Sequence, residues 1–265
     1  MKLFKKDSEG NIRYLEITTQ GADLVQTSGI VGTDKPREER KTCTPKNKGK
    51  SNETTPETQA VAQAKALVVT KLREGYFEKM ADAVNKLVIL PMLAKDYKKE
   101  NKKIDWSSPV YAQPKLDGMR ALGDQQLISR ENVVLETLGH ILEEVKAIDG
   151  HLDGELYAHG LTFQDNMRLI KKYRAGETEQ IKYHVYDMVM EAPFHVRYQT
   201  LKKLVAKAKN ICLVPTILVK NEEELKKAHA QFIAEGYEGT IVRHGNAPYK
   251  NNARSSNLLK YKDFQ

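Results

Sequence analysis

The chain has 265 residues, enough for one large domain or two smaller ones. Hydrophobic residues make up 40% and charged residues 29%, which excludes an intrinsically disordered chain. Lys plus Arg outnumber Asp plus Glu by 43 to 35, a net charge of +8 that favours an anionic partner such as nucleic acid or nucleotide. The longest apolar stretch, Leu87 to Ala94, contains Pro91 and falls far short of the roughly 20 residues a membrane span needs. The start, Met1-Lys-Leu-Phe-Lys-Lys6, is charged too early for a secretory signal. Cys43 and Cys212 stand far apart without a CxxC partner, and the seven histidines are scattered, so neither a disulfide framework nor a soft-ligand metal site is expected. An intracellular, cytoplasmic protein without a membrane partner is the expectation.

In chain order, Asn11 to Thr19 alternates as a strand, and Asp23 to Val31 reads as a second strand ending at Gly32. Lys35 to Pro56 is a polar, basic loop with room for one edge strand. From Thr58 to Met80 the period turns helical, with Val61, Ala64, Val68 and Leu72 on one face and Leu67 at its border. Residues 1–84 therefore read as a small α+β domain, a three-stranded sheet carrying one helix. Residues 85–108 join this domain to the next, and the run Lys95 to Lys103 is charged as a solvated linker would be.

Beyond Ser108 short strands are expected at 110–114, 120–122, 127–129, 133–135, 152–158, 181–189, 211–219, 239–243 and 258–262. Helices are expected at 138–148, 162–173, 196–208 and 222–235. The last helix has clear punctuation. Asn221 caps it, Glu222, Glu223 and Glu224 complement its dipole, and Gly236 suits the left-handed residue after its end. Its stripe of Leu225, Ala228, Phe232 and Ile233 faces a core. Without a regular βαβ rhythm, 109–265 reads as an α+β domain of mixed sheet.

Four segments carry the chemistry. Tyr111-Ala-Gln-Pro-Lys-Leu-Asp-Gly-Met-Arg120 sets a lysine before a turn; the Asp-Gly pair is also ordinary turn chemistry, and Gly118 would let phosphate approach the backbone. Leu152-Asp-Gly-Glu-Leu-Tyr157 brings two carboxylates, and Glu238-Gly-Thr-Ile-Val-Arg243 opens a strand with glutamate and closes it with arginine. Leu258-Leu-Lys-Tyr-Lys262 puts Lys260 and Lys262 on one face of a strand by period-two alternation. Each segment alone has a structural explanation; in this order they form a signature.

That signature resembles the covalent nucleotidyltransferases, from about Leu90 to the C-terminus. Pro91-Met-Leu-Ala94 and the three lysine- and glutamate-bearing motifs look most like ATP-dependent DNA ligases. RNA ligases, GTP-dependent messenger-RNA capping guanylyltransferases and a non-catalytic nick-binding module of the same shape are the alternatives. The resemblance implies an ATP-grasp-like nucleotidyltransferase fold of packed, mainly antiparallel sheets with flanking helices. It implies that Lys115 forms a lysyl-AMP from ATP, that AMP passes to the 5′-phosphate of a nicked duplex DNA, and that the 3′-hydroxyl then seals the strand. Lys260 and Lys262 would serve the phosphates, and Asp117 would orient Lys115 or a metal-bound water. Gln113 would meet the adenine edge, with Pro114 and Leu116 lining the same nucleotide pocket. Arg120 and Arg130 would contact ribose, phosphate or the nicked strand, and Glu155 the ribose or the metal shell. Glu155 and Glu238 would hold Mg2+ or Mn2+. Tyr186 would stack on the base; the alternatives are Tyr183 in that place and a core role for Tyr186. A phosphate-facing set of Lys115, Arg120, Arg130, Arg243, Lys260 and Lys262 follows.

Ile12 to Ile17, Ser28 to Thr33 and Leu72 to Tyr76 are similar to a divergent WGR domain, a DNA-contacting module whose defining triplet would fall at Ser28-Gly29-Ile30. The basic loop Lys35 to Lys50 could still grip phosphate. Ligases of this family continue past the last lysine motif into an OB-fold, whereas this sequence ends at Asp263-Phe-Gln265. Either the sequence is truncated, the favoured reading, or the enzyme is minimal; the expectation for these 265 residues is that ATP or AMP binds while self-adenylation and nick sealing are weak or absent. A monomer is expected, of cytoplasmic, nucleoid-associated or viral setting.

Overall fold

The computed structural model describes residues 1–7 and 9–262, so the tail Asp263-Phe-Gln265 lies outside the described residues. The chain divides into two compact units, Met1–Val88 and Ile89–Gln265. No helix among the described residues is long and apolar enough to cross a membrane, and both cysteines are free.

The first unit is a four-stranded antiparallel sheet of β1 (Lys2–Lys6), β2 (Ile12–Gln20), β3 (Asp23–Ile30) and β4 (Arg37–Thr42), in that order. It has one strand more than expected. Lys-Leu-Phe-Lys-Lys hides β1 behind its charges, yet Leu3 is fully buried beside Leu15, Ile17, Leu24 and Ala60. The edge strand β4 is exposed at every residue. Helix α1 (Pro56–Arg73) starts two residues earlier than expected. Thr55 and Thr58 form a reciprocal capping box, and Pro56 sits in the first turn. It stops at Arg73 instead of Met80, because Gly75 takes φ +87°. A separate short helix, α2 (Met80–Asn85), follows. Helix α1 packs on the sheet through Ala60, Ala64, Leu67, Val68 and Leu72, whereas Val61 is 41% exposed.

The second unit has two five-stranded sheets. Its elements are β5 (Leu93–Asp96), α3 (Tyr97–Glu100), β6 (Val110–Lys115), β7 (Met119–Gly123), β8 (Leu127–Ser129), α4 (Gly139–Lys146) and β9 (Leu152–Tyr157). There follow α5 (Phe163–Lys171), β10 (Lys182–Met188), α6 (Phe194–Leu204), β11 (Ile211–Leu213), β12 (Ile217–Val219), α7 (Glu222–Ala234), β13 (Gly239–Arg243) and β14 (Arg254–Tyr261). One sheet runs β11-β10-β9-β7-β8, the other β12-β6-β13-β14-β5. All pairings are antiparallel except β10 with β11 and β14 with β5.

Several expectations are corrected here. Residues 93–100, read as part of a linker, form β5 and α3; β5 pairs with β14, and Tyr97 is buried against its core. Residues 133–135 make only an isolated bridge, Val134 to Ile128. The stretch 211–219 is two strands in two different sheets, because Pro215 lacks an N–H and breaks the ladder. The stripe of α7 is Leu225, Ala228, His229 and Phe232, while Ile233 is 41% exposed. Asn221 caps α7 through Glu224 N–H at 2.9 Å.

Period-two alternation sorts each strand's side chains between two surroundings. On β6, β13 and β14 the residues Val110, Ala112, Val242 and Leu259 pack with Leu225, Ala228 and Phe232 of α7. On β7, β9 and β10 the residues Ala121, Leu152, Leu156, Tyr183 and Val185 pack with Ile141, Leu169 and Leu201 of α4, α5 and α6. The opposite faces of both sheets border one cleft.

Candidate active site

The cleft holds about 330 Å3. One wall carries Gln113, Pro114, Lys115 and Leu116 of β6 and its turn, Ile241 and Arg243 of β13, and Leu258, Lys260 and Lys262 of β14 and its end. The other carries Arg120, Glu155 and Tyr186 from β7, β9 and β10, with Arg130 just beyond β8. Ten residues expected in the nucleotide site therefore line one cavity: Gln113, Pro114, Lys115, Leu116, Arg120, Arg130, Glu155, Tyr186, Lys260 and Lys262.

Strand register builds its charged corner. Gly239 pairs with Lys115, and Thr240 pairs with Tyr261, so the end of β6, the start of β13 and the end of β14 coincide. Glu238, one residue before β13, donates its N–H to the Lys115 carbonyl at 3.1 Å. Its carboxylate accepts from both Lys115 Nζ and Lys262 Nζ. Gly239 is required here because a Cβ would lie 2.4 Å from the Tyr261 carbonyl oxygen. Burial lowers the Lys115 pKa, with Arg120 acting in the same direction and Glu155 and Asp117 opposing it. Burial and the neighbouring Lys115 also lower Lys262, against Asp117. Asp117 is exposed and has no hydrogen-bond or ion-pair partner among the described residues, so its hold on Lys115 is one of charge, not of contact. Lys260 and Arg130 have no ion-pair partner among the described residues and are left for a ligand's anionic groups.

On the facing wall, Arg120 pairs across the β7–β9 ladder with Glu155. Its guanidinium instead forks onto Asp153, Nε to Oδ1 at 2.9 Å and Nη2 to Oδ2 at 2.6 Å. Burial pushes the Glu155 carboxyl up to about 7, while Arg120 and Lys115 pull it down. The Tyr186 hydroxyl donates to Glu155 at 3.3 Å, and the Tyr186 ring lies 5.8 Å from the Arg120 guanidinium and 5.7 Å from that of Arg243. Tyr183 is excluded from the cleft: it is fully buried and its hydroxyl donates to Ala121 and Leu152 carbonyls.

Three expected roles change. Gln113 is 1% exposed and fully engaged; its amide donates to the Tyr186 carbonyl and Thr216 Oγ1, and its oxygen accepts from Arg243. No amide hydrogen remains for an adenine edge. Arg243 is not a phosphate-facing cation: it is 2% exposed and bonded to Asp187, which also binds Arg197 at 2.7 Å. Gly118 does not open space for phosphate. A Cβ there would stand 2.3 Å from the Leu156 carbonyl oxygen, so glycine lets the turn after Lys115 lie against β9. Sequence reasoning missed Arg254, an exposed cation of β14 on the cleft, and Asp153, the anchor of Arg120; only the second lay within a motif that pointed to it.

Residues 91–262 match the ATP dependent DNA ligase domain. The chain belongs to that family. A DNA ligase of African swine fever virus is 31% identical over 243 residues, covering 82% of this chain and 56% of the viral one. A DNA ligase of Haemophilus influenzae is 30% identical over 154 residues, 56% of each chain. The chain thus spans little more than half the length of these relatives. A Lig E DNA ligase structure superimposes with a TM-score of 0.59 at 23% identity, over 68% of this chain and 70% of that one. The Chlorella virus DNA ligase-adenylate gives 0.55 at 23%, over 66% and 68%. The second unit has the fold of these ligase domains, and the expected α+β architecture of mainly antiparallel sheets with flanking helices holds.

Proposed function

We propose that this chain carries out the nucleotidyl-transfer chemistry of an ATP-dependent DNA ligase, with Lys115 as the nucleophile. The observation that carries the reading is the meeting of Lys115, Glu238 and Lys262 at one sheet corner, across a cleft from Arg120, Glu155 and Tyr186. The family assignment supports ATP and an AMP intermediate.

Lys115 must act as a neutral amine. A free lysine has a pKa of about 10.4, so near pH 7.4 only about one in a thousand is neutral. Burial beside Lys262 and Arg120 raises that fraction. Attack of Nζ on the α-phosphorus forms an N–P bond, breaks the bond to the β-phosphate bridge and releases pyrophosphate; the nitrogen loses its proton. A 5′-phosphate oxygen at the nick then attacks the same phosphorus, freeing Lys115 and leaving an adenylated strand end. Attack of the 3′-hydroxyl on the 5′-phosphorus forms the phosphodiester and expels AMP. Lys260, Lys262 and Arg130 supply positive charge where the phosphates and the leaving group need it. Tyr186, braced between two guanidinium groups, offers the base a ring.

Among the described residues no group of three or more His, Cys, Asp or Glu side chains is assembled for a metal. Glu155 lines the cleft and Glu238 adjoins it through Lys115 and Lys262, which fits a hard cation that takes one or two carboxylates and fills its shell with phosphate oxygens and water. Mg2+ or Mn2+ bound there would neutralise charge on the departing pyrophosphate.

The test offers α-labelled ATP or GTP with magnesium and follows label on the denatured protein. Label from ATP on the wild type and none on Lys115→Ala is expected. Label from GTP alone overturns the ligase reading in favour of a capping activity. Binding of pre-adenylated nicked DNA, compared with nicked RNA, then separates the two ligase substrates, and binding to neither removes both.

A further inference from the structure

The loop 244–253, between β13 and β14, is bonded to the segment that leads into β5. Asn251 Oδ1 accepts the Leu90 N–H at 2.7 Å, and the Leu90 carbonyl accepts the Asn252 N–H at 3.2 Å. The Ala253 carbonyl accepts the Leu93 N–H at 2.9 Å. Tyr249 does something different. Its hydroxyl accepts the Met92 N–H at 2.9 Å and donates to Asp153 Oδ2 at 2.8 Å. That same carboxylate forks onto Arg120. Tyr249 is 5% exposed and Asp153 fully buried, so no water competes for either. Burial and the Asp153 charge raise the Tyr249 pKa, which keeps the phenol protonated and therefore a donor.

We propose that Tyr249 is a positioning residue for Arg120, its hydroxyl locking between the Met92 amide and the Asp153 carboxylate and so fixing the fork that presents the guanidinium to the cleft. Asp153 is shut off from solvent, and both of its oxygens are engaged: Oδ1 by Arg120, Oδ2 by Arg120 and Tyr249. Without the Tyr249 hydroxyl, Oδ2 keeps one donor, and the carboxylate can turn about its Cβ–Cγ bond and carry Arg120 with it. The consequence for catalysis rests on the ligase reading; the positioning itself does not.

The experiment compares wild type, Tyr249→Phe and Asn251→Ala in the full chain. Asn251→Ala loosens the same loop without touching Asp153. Exchange of the Arg120 Nε–H with solvent, read by NMR, is expected to be slow in wild type and Asn251→Ala and fast in Tyr249→Phe. Single-turnover labelling with ATP is expected to fall about tenfold in Tyr249→Phe, the loss of one hydrogen bond to a charged group, with the ATP dissociation constant within about twofold. On an Arg120→Ala background, Tyr249→Phe is expected to add nothing further. Equal Arg120 exchange in wild type and Tyr249→Phe overturns the proposal, as does an equal change in Asn251→Ala or full additivity with Arg120→Ala. Absence of label from the wild type, together with no binding of pre-adenylated nicked DNA or nicked RNA, overturns the ligase reading alone, because the exchange measurement still decides where Arg120 is held.

Discussion

Replacing Glu155 by glutamine removes a carboxyl that the folded chain keeps in a poor place for charge. Its pKa is about 7 in the cleft against 4.5 in an open chain. Between those values the unfolded chain has already ionised while the folded one still holds its proton. Stability therefore falls as pH rises from about 4.5 to about 7 and is flat above, since a raised carboxyl pKa disfavours the folded state once the unfolded state is charged. The full difference corresponds to about 3 kcal/mol at 1.36 kcal/mol per pH unit. Glu155 lines an open cleft and is only half-buried by surface area, so water screens part of that cost and about 1–2 kcal/mol is expected. Glutamine has the same shape and can still accept from Tyr186. Urea unfolding of Glu155→Gln and wild type, followed by the fluorescence of Trp106, reports the second unit, because Trp106 is the single tryptophan and packs on that unit's core. The variant is expected to match the wild type near pH 4.5 and to exceed it by about 1–2 kcal/mol at pH 8. A gap that is constant with pH, or a variant less stable than wild type at pH 8, refutes the reasoning.

Three further outcomes are expected. Glu238→Gln takes the shared carboxylate from Lys115 and Lys262, so Lys115 gives up its proton more readily; the acid limb of the single-turnover labelling rate moves to lower pH, and an unmoved limb contradicts this. Gly118→Ala forces a methyl against the Leu156 carbonyl and costs about 1–3 kcal/mol by Trp106-monitored unfolding, with labelling lost as the Lys115 turn shifts; a change under about 0.5 kcal/mol rejects the packing role. We further propose that the basic loop of the first unit grips duplex phosphates. Charge reversal of Lys46, Lys48 and Lys50, all exposed, then weakens nicked-duplex binding and reduces the slope of log K against log salt by about 2–3, whereas an unchanged slope removes that loop from the DNA contact.

Local chemistry made much of this protein legible. The motif strands, the capped helix α7 and the β-rich alternation follow from side-chain period and turn residues, which act over a few positions. The resemblance to the ligase motifs singled out Lys115, Lys260, Lys262, Glu155 and Tyr186, and the fold brings all five to one cleft. Elements failed where charge disguised a strand, as at β1, or where one proline split an apparently continuous run, as at Pro215. On α1 the expected face of Ala64, Val68 and Leu72, with Leu67 at its border, packs on the sheet, and only Val61 gives way to Ala60, because both are compatible with a core and packing alone chooses between them.

By itself, then, the sequence determined which residue types stand at strand ends and which family they belong to, and its net positive charge of +8 pointed to an anionic partner. The tertiary structure alone decided how each of those charges is used. Arg243 and Lys260 are both cations on neighbouring strands, yet one is bonded to a buried aspartate and the other faces the cleft. Gln113 lies two residues before the nucleophile but has both amide hydrogens taken by partners 73 and 103 positions away. Arg120 is aimed by Asp153, and Asp153 in turn by Tyr249, 96 residues further on. A charge's availability depends on which opposite charge reaches it first, and that is settled by strand register and long-range packing, not by neighbours in the chain.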